Sequence, residues 1–254
     1  KARELHPTNW GRFCPAETPE GPTIGLRKNL ALLAEITTGL LDNEIEKVVK
    51  FLKPAEKMEN GMASLILDGT PIGFVKPEIV PEIIKRRRAD LIPKEVDAVY
   101  FKDANEVRVC TDGGRVRRPL IVVENGKSKF TEDHLRELNE EKISWQDLLK
   151  AGVIEFIDAE EEDGALVCLY DKDLQPEHTH LEIIPVAIMG LSASLLPFSQ
   201  HNRGDRVNFG AKMIGQAVGV YATNYNLRSE AKSNILVYPQ TPLVETALVK
   251  NSGM

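Results

Sequence analysis

Two arginines in one short stretch are the strongest candidates for chemistry. An apolar run over residues 183–196 breaks off at Pro197, and Pro197-Phe198-Ser199-Gln200-His201-Asn202-Arg203-Gly204-Asp205-Arg206 follows, continuing through Lys212 to Gln216. Apolar periodicity resumes at Val207, so Arg203, Asp205 and Arg206 sit between two apolar segments. That placement is costly unless the charges face water, a partner or a ligand. Guanidinium groups are planar, bidentate donors suited to phosphate oxygens. A solvated surface loop between two helices is the competing reading.

Other reactive residue types form no complete set. Glu17 and Glu20 are three apart in a loop crowded with proline and glycine. A glycosidase-like carboxylate pair would also need a tuned second acid and a cleft, and the sequence displays neither. His178-Thr179-His180 could place two metal ligands on one strand face, but a third at suitable spacing is missing. Cys14 has carboxylate neighbours that raise a thiol pKa, which argues against a nucleophile. No P-loop, dinucleotide glycine fingerprint or nucleophile elbow occurs.

The elements that must carry these residues read as α+β. Residues 14–25 alternate Pro and Gly with carboxylates and form a rigid, folded-over loop, because proline fixes φ and blocks helix continuation. Leu26, Leu30, Leu33 and Ile36 then approach helical spacing, predicting a helix over 24–36. A loose capping box, Asn43 with Glu46, opens a helix through Leu52. Asp68-Gly69 between 64–67 and 72–75 predicts a hairpin. Residues 78–89 form an amphipathic helix ending in Lys85-Arg86-Arg87-Arg88, four adjacent cations read as a solvated helix end. Strands follow at 98–101, 107–110 and 116–124, the last an edge strand because it contains Pro119. Helices at 132–141 and 145–150, a strand at 153–157 and a strand at 165–170 complete the middle. Between those last two strands lie five carboxylates in six residues, 158–163; glycine-spaced calcium ligands are missing, so this reads as a solvated loop.

Composition narrows the class. With 254 residues, 42% hydrophobic and 28% charged, the chain can build one large or two ordinary cores and is no candidate for disorder. No apolar run has membrane-spanning length, and no signal peptide opens the chain. Three widely spaced cysteines fit neither a disulfide framework nor a zinc knuckle, so the cytoplasm is the expected compartment. The net charge of −6 is uneven: residues 1–36 carry five Lys/Arg against four Asp/Glu and residues 180–254 six against four, leaving −9 in the middle. The sequence begins with Lys and ends at Gly253-Met254 without a capping signal, which suggests a piece of something longer.

One resemblance extends this reading. His6-Pro7-Thr8-Asn9-Trp10-Gly11-Arg12-Phe13-Cys14-Pro15-Ala16-Glu17-Thr18-Pro19-Glu20-Gly21-Pro22 resembles the fork region of the second-largest subunit of multisubunit RNA polymerases. Thr111-Asp112-Gly113-Gly114-Arg115-Val116 and Glu155-Phe156-Ile157-Asp158-Ala159-Glu160-Glu161-Glu162 resemble that subunit's external domain in archaea and eukaryotes. Residues 179–216, Thr223-Asn224-Tyr225-Asn226 and Tyr238-Pro239-Gln240-Thr241-Pro242-Leu243 resemble the link into its hybrid-binding region. The similarity runs nearly end to end in the family's order, and the wording of 181–196 looks archaeal.

The resemblance implies a multi-domain α+β fragment: a fork segment at 1–36, an inserted mixed α/β external domain at 37–175, and link plus start of the hybrid-binding region at 176–254. It implies DNA-templated RNA synthesis, with Arg206 contacting the triphosphate of the incoming nucleotide and Glu20 orienting that guanidinium. Gln216 and Lys212 fall at positions near the RNA 3′ end or the hybrid backbone; bacterial members carry an amide in place of Lys212. Arg203 and Asp205 are expected to form a local salt bridge. The implied partners are the largest subunit and other polymerase subunits, DNA template, RNA transcript and NTPs, with no membrane. No cofactor is expected on this piece, because Mg2+ is held chiefly by carboxylates of the largest subunit, and the piece alone is expected to be inactive. The alternatives are a freestanding nucleic-acid-binding or scaffold module, using the arginines, Lys212 and the 85–88 run, and, more remotely, a hydrolase using Glu17 and Glu20.

Overall fold

The computed structural model describes residues 2–218, 234–236, 238, 240 and 242–252. The motif 223–226, with Pro239 and Thr241, lies outside the described residues. The chain divides into two compact units, Glu35–Pro185 and a discontinuous one of Lys1–Ala34 with Val186–Met254. Both sheets of the inserted unit mix parallel and antiparallel pairs, so the fold is α+β.

In chain order the inserted unit contains β1 (Glu35–Thr38), α1 (Asp42–Leu52), β2 (Ala63–Leu67), β3 (Thr70–Val75), α2 (Ile79–Arg88), β4 (Asp97–Phe101), β5 (Glu106–Cys110) and β6 (Gly113–Glu124). Next come β7 (Lys127–Ser128), α3 (Glu132–Asn139), α4 (Trp145–Lys150), β8 (Ile154–Ile157), α5 (Ala159–Asp163), β9 (Val167–Cys168) and β10 (His180–Leu181). One sheet has the order β3-β2-β5-β4. Its period-2 pattern buries Leu65, Val107 and Val109, and α1 and α2 close the core with Val48, Leu52, Val80 and Ile83. The β2–β3 hairpin turns through Asp68 and Gly69, both at positive φ (46° and 78°), as the Asp-Gly pair predicted.

The second sheet is built on β6, which pairs in turn with β1, β8, β10 and β7. This corrects the edge-strand expectation. Pro119 lies in register with Phe156 inside the sheet, where residues 118–120 are paired with β8 alone, so one flank needs no ladder donor there. Ile121, Val123, Leu148, Ile154 and Leu181 form its core. The strand expected over 165–170 shrinks to β9.

Two further expectations fail together, and for one reason. Arg87 and Arg88 of the first run and Asp158, Glu161 and Glu162 of the second are engaged inside the unit, whereas Lys85 and Asp163 stay exposed as expected. Arg87 is 1% exposed. Its Nη1 donates to Val96 O (2.9 Å), Asp97 Oδ1 (3.0 Å) and Glu161 Oε2 (2.7 Å), and its Nη2 donates to Glu155 Oε2 (2.9 Å) and Glu161 Oε1 (2.6 Å). Arg88 binds the other oxygen of Glu155 at 2.6 Å, and Arg86 pairs with Glu82 and lies over Phe51. The carboxylates at 158–163 start a helix instead of a loop: Asp158 caps α5 by accepting from the Glu161 amide, Glu162 pairs with the buried Arg118, and Glu160 pairs with Arg108. A charge can be buried when each member is hydrogen bonded, and here the partners come from α2, β4, β6, β8 and α5. Sequence spacing along one element could not reveal partners on four others.

His180 belongs to the same network. It is buried, with Nε2 2.8 Å from Glu155 Oε1, whereas His178 hydrogen bonds locally to the Gln175 amide. Burial pushes the Glu155 carboxyl upward, yet the His180 hydrogen bond and the Arg87 and Arg88 charges prevail and hold it well below the usual carboxylate range.

The discontinuous unit begins with irregular chain, including a 3-10 turn at Pro7–Asn9 and another at Gly21–Thr23. It continues with α6 (Leu191–Ser194), α7 (Gly204–Ile214), β11 (Ala217–Val218), β12 (Asn234–Ile235) and α8 (Ala247–Ser252). The helix expected over 24–36 does not form. Its backbone is committed elsewhere: the Cys14 amide donates to Asn29 O, the Ala31 amide to Arg12 O, and the Leu32 amide to Met189 O, each at 2.9 Å. Ile24, Leu26 and Leu30 are exposed, so their helical spacing marks no buried face.

Candidate nucleic-acid interface

Residues 14–25 and α7 carry the polar residues singled out above, and both belong to the discontinuous unit. The loop is held from within. The Gly25 amide donates to Thr18 Oγ1 (2.8 Å), and that hydroxyl donates to Arg27 O (3.0 Å). The Arg3 guanidinium donates to Pro22 O (2.6 Å) and Ile24 O (2.9 Å). Gly25 has φ +73°, and the Arg3 backbone leaves no room for a Cβ. Glu20 stands at the start of the Gly21–Thr23 turn in extended conformation, exposed and without a capping hydrogen bond. Glu17 is half-buried, with its carboxylate laid where a Cβ on Gly190 would be. One carboxylate is thus packed on backbone and the other is turned to solvent, which gives the hydrolase reading no shared cleft to use.

Cys14 is buried beneath this loop with Ala193 and Ala211. Burial raises its thiol pKa, backbone amides of Gly190, Ala16 and Glu17 oppose the rise, and the Glu17 charge adds to it. Its burial, more than the neighbouring carboxylates, makes it inert.

α7 is amphipathic in an uncommon way. Val207, Asn208 and Ala211 turn inward, with Ala211 in the cluster completed by Met189 and Leu196. Arg206, Phe209, Lys212, Met213 and, just past the helix, Gln216 are exposed. Arg206, Phe209 and Met213 follow i, i+3, i+7 spacing and share one face. Phe209 is 41% and Met213 50% exposed, an aromatic and a thioether placed in water beside a guanidinium. These two were missed in the sequence because apolar residues at helical spacing read as core. At the helix start Arg203 Nε lies 3.4 Å from Asp205 Oδ1, both well exposed, so the local pair forms. Arg206 has no ion-pair partner among the described residues. An 11-residue helix presents its positive dipole end here beside Arg203 and Arg206, an electrostatic setting favourable to an anion.

Loop and helix are tied by the Thr18 amide, which donates to Asn208 Oδ1 at 3.2 Å. The residues carrying Glu20 and Arg206 are therefore connected, although no ion pair joins those two side chains among the described residues. No group of three or more His, Cys, Asp or Glu side chains suited to a metal ion occurs among the described residues. No helix among them is long and apolar enough to cross a membrane.

Comparison with known proteins places this architecture. Family models described as RNA polymerase Rpb2, domain 3, domain 4, domain 5 and domain 6 match residues 1–36, 65–124, 145–185 and 192–254, in that order. DNA-directed RNA polymerase subunit Rpo2 of Sulfolobus acidocaldarius is 41% identical over 98% of this chain and 24% of its own length. The Rpo2 subunit of Saccharolobus shibatae is 43% identical over 97% of the chain and 24% of its own length. DNA-directed RNA polymerase II subunit RPB2 of Encephalitozoon cuniculi is 37% identical over 96% and 23%. The chain spans about a quarter of the length of these curated relatives.

Proposed function

The chain belongs to the family of second-largest subunits of multisubunit RNA polymerases, and from that premise we propose that α7 contributes the nucleotide and hybrid contacts of DNA-templated RNA synthesis. Arg206 contacts the triphosphate of the incoming NTP, where its fixed positive charge steadies the negative charge that develops on the leaving pyrophosphate. Glu20 orients or restrains that guanidinium. Lys212 and Gln216 lie toward the RNA 3′ end or hybrid backbone, and exposed Phe209 offers a face on which a base stacks. The observation that carries this reading is the exposed Arg206, without an ion-pair partner among the described residues, at the positive end of an 11-residue helix beside a loop locked by Thr18.

The partners of this reading are the largest subunit, the other polymerase subunits, template DNA, transcript and NTPs, in the cytoplasm. In this reading the two catalytic magnesium ions are held chiefly by carboxylates of the largest subunit. The rival freestanding nucleic-acid module loses part of its 85–88 run, where Arg87 and Arg88 are engaged by carboxylates and Arg86 by Glu82, and keeps the exposed Arg203, Arg206 and Lys212.

An assembled enzyme tests the proposal. Arg206→Ala loses nucleotide addition far more than assembly, and Glu20→Ala alters rate or fidelity with a smaller loss. Wild-type elongation by both variants defeats it.

A further inference from the structure

We infer that Thr18 and Asn208 are a positioning pair that fixes the Glu20 loop against the Arg206 helix, so that the nucleotide-contacting face is set by hydrogen bonds behind it. The inference rests on the reading of Arg206 as a triphosphate contact. Asn208 is 8% exposed, between Val207 and Ala211 on the packed side of α7. Asparagine is a mediocre helix former, and its amide is costly among apolar neighbours without a partner. The partner here is a backbone amide 190 residues away in sequence, at Thr18. The hydrogen-bonding groups of Thr18 work together: its amide holds the helix, and its hydroxyl accepts from Gly25 and donates to Arg27. One residue therefore closes the loop that displays Glu20 and anchors it two residues from Arg206.

Asn208 is buried and Thr18 is spent on the loop and the helix, so both act through Arg206 and Glu20. The test is single-nucleotide addition across an NTP titration by the assembled polymerase, with Asn208→Leu, Asn208→Asp, Thr18→Val and Arg206→Ala. Asn208→Leu keeps the branched shape of the side chain, though bulkier, and strands the Thr18 amide; it is expected to lower kcat/KM for NTP roughly fivefold to thirtyfold. Asn208→Asp retains the acceptor and is expected to restore addition to within about threefold of wild type. In an Arg206→Ala background Asn208→Leu is expected to cost less than about twofold more, because the group it positions is gone. If Asn208→Leu does not assemble, Thr18→Val, which removes the hydroxyl that closes the loop and leaves the backbone amide on Asn208, is expected to lower addition in the wild-type background and less in the Arg206→Ala background; wild-type addition by it overturns the inference.

Impaired addition by Arg206→Ala with wild-type addition by Asn208→Leu overturns this inference and leaves the reading of Arg206 standing. A full Asn208→Leu loss that persists without Arg206, or is not rescued by Asn208→Asp, also overturns it by showing a merely structural role. Wild-type addition by Arg206→Ala removes the inference together with the reading beneath it.

Discussion

Replacing Arg87 by methionine keeps much of the side chain's length and removes its charge. The guanidinium makes five hydrogen bonds of 3.0 Å or less, to one carbonyl and three carboxylates, at 1% exposure. Without it Glu161 loses both of its Arg87 bonds, and Asp97 and Glu155 keep, among the described residues, Arg88, Arg115, Arg117 and His180 as counter-groups. Breaking a buried pair from one side typically costs about 3–5 kcal/mol, because the remaining charge stays buried. At a urea slope of roughly 2 kcal/mol per molar, the unfolding midpoint should fall by about 2 M. The assay is urea unfolding followed by Trp145 fluorescence in a Trp10→Phe background, since Trp145 packs in the core of the second sheet. Adding Glu161→Gln to Arg87→Met should cost less than the sum of the two single changes, since both halves of the bidentate pair are then neutral. A loss below about 1 kcal/mol for Arg87→Met, the range of exposed pairs, would refute the claim that this network is desolvated and structural.

The same network sets a pH dependence. Glu155 is held below its ordinary value in the folded chain, so its contribution is complete above the usual carboxylate range and is lost as pH falls through the depressed folded value. Urea midpoints of the unaltered chain should drop more on acidification below about pH 4.3 than those of Glu155→Gln, while the buried Asp97 carboxyl, held well above its usual range, acts in the opposite sense in both; equal drops count against the claim. Burial pushes the Cys110 thiol up to about 12, with Arg115 opposing and nearby carboxylates reinforcing. At pH 8.5 its thiolate fraction should be roughly a thousandfold below that of a free thiol, so iodoacetamide should label Cys110 readily only in denaturant. Fast native labelling, read by mass spectrometry, would contradict this.

Much of the inserted unit was legible because its signals are local. The Asp-Gly hairpin, the amphipathic α2 and the strands β4 and β5 follow from turn chemistry and from 2.0 or 3.6 periodicity within a few residues. What was illegible depended on partners far away in sequence. Arg87 and Glu161 are 74 residues apart, and each, read alone, belongs to a run of like charges that points to solvent. Residues 24–36 have helical spacing, but the Ala31 and Leu32 amides are taken by Arg12 and Met189 carbonyls and those of Ile24, Leu26 and Ala34 by short turns. At the candidate site the charged residues were visible from their types, and the family resemblance supplied their roles. Phe209, Met213 and Asn208 were not visible: the first two have core-like character yet face water, and Asn208 is polar yet buried.

The central claim is that Arg206 acts on the triphosphate and therefore on every nucleotide alike. The direct measurement is pre-steady-state addition of each of the four NTPs by assembled polymerase carrying Arg206→Ala. Removal of one electrostatic contact to a developing charge predicts a loss of about 10²–10³-fold, similar for all four bases. Addition at the wild-type rate, or a loss confined to one base, would contradict it.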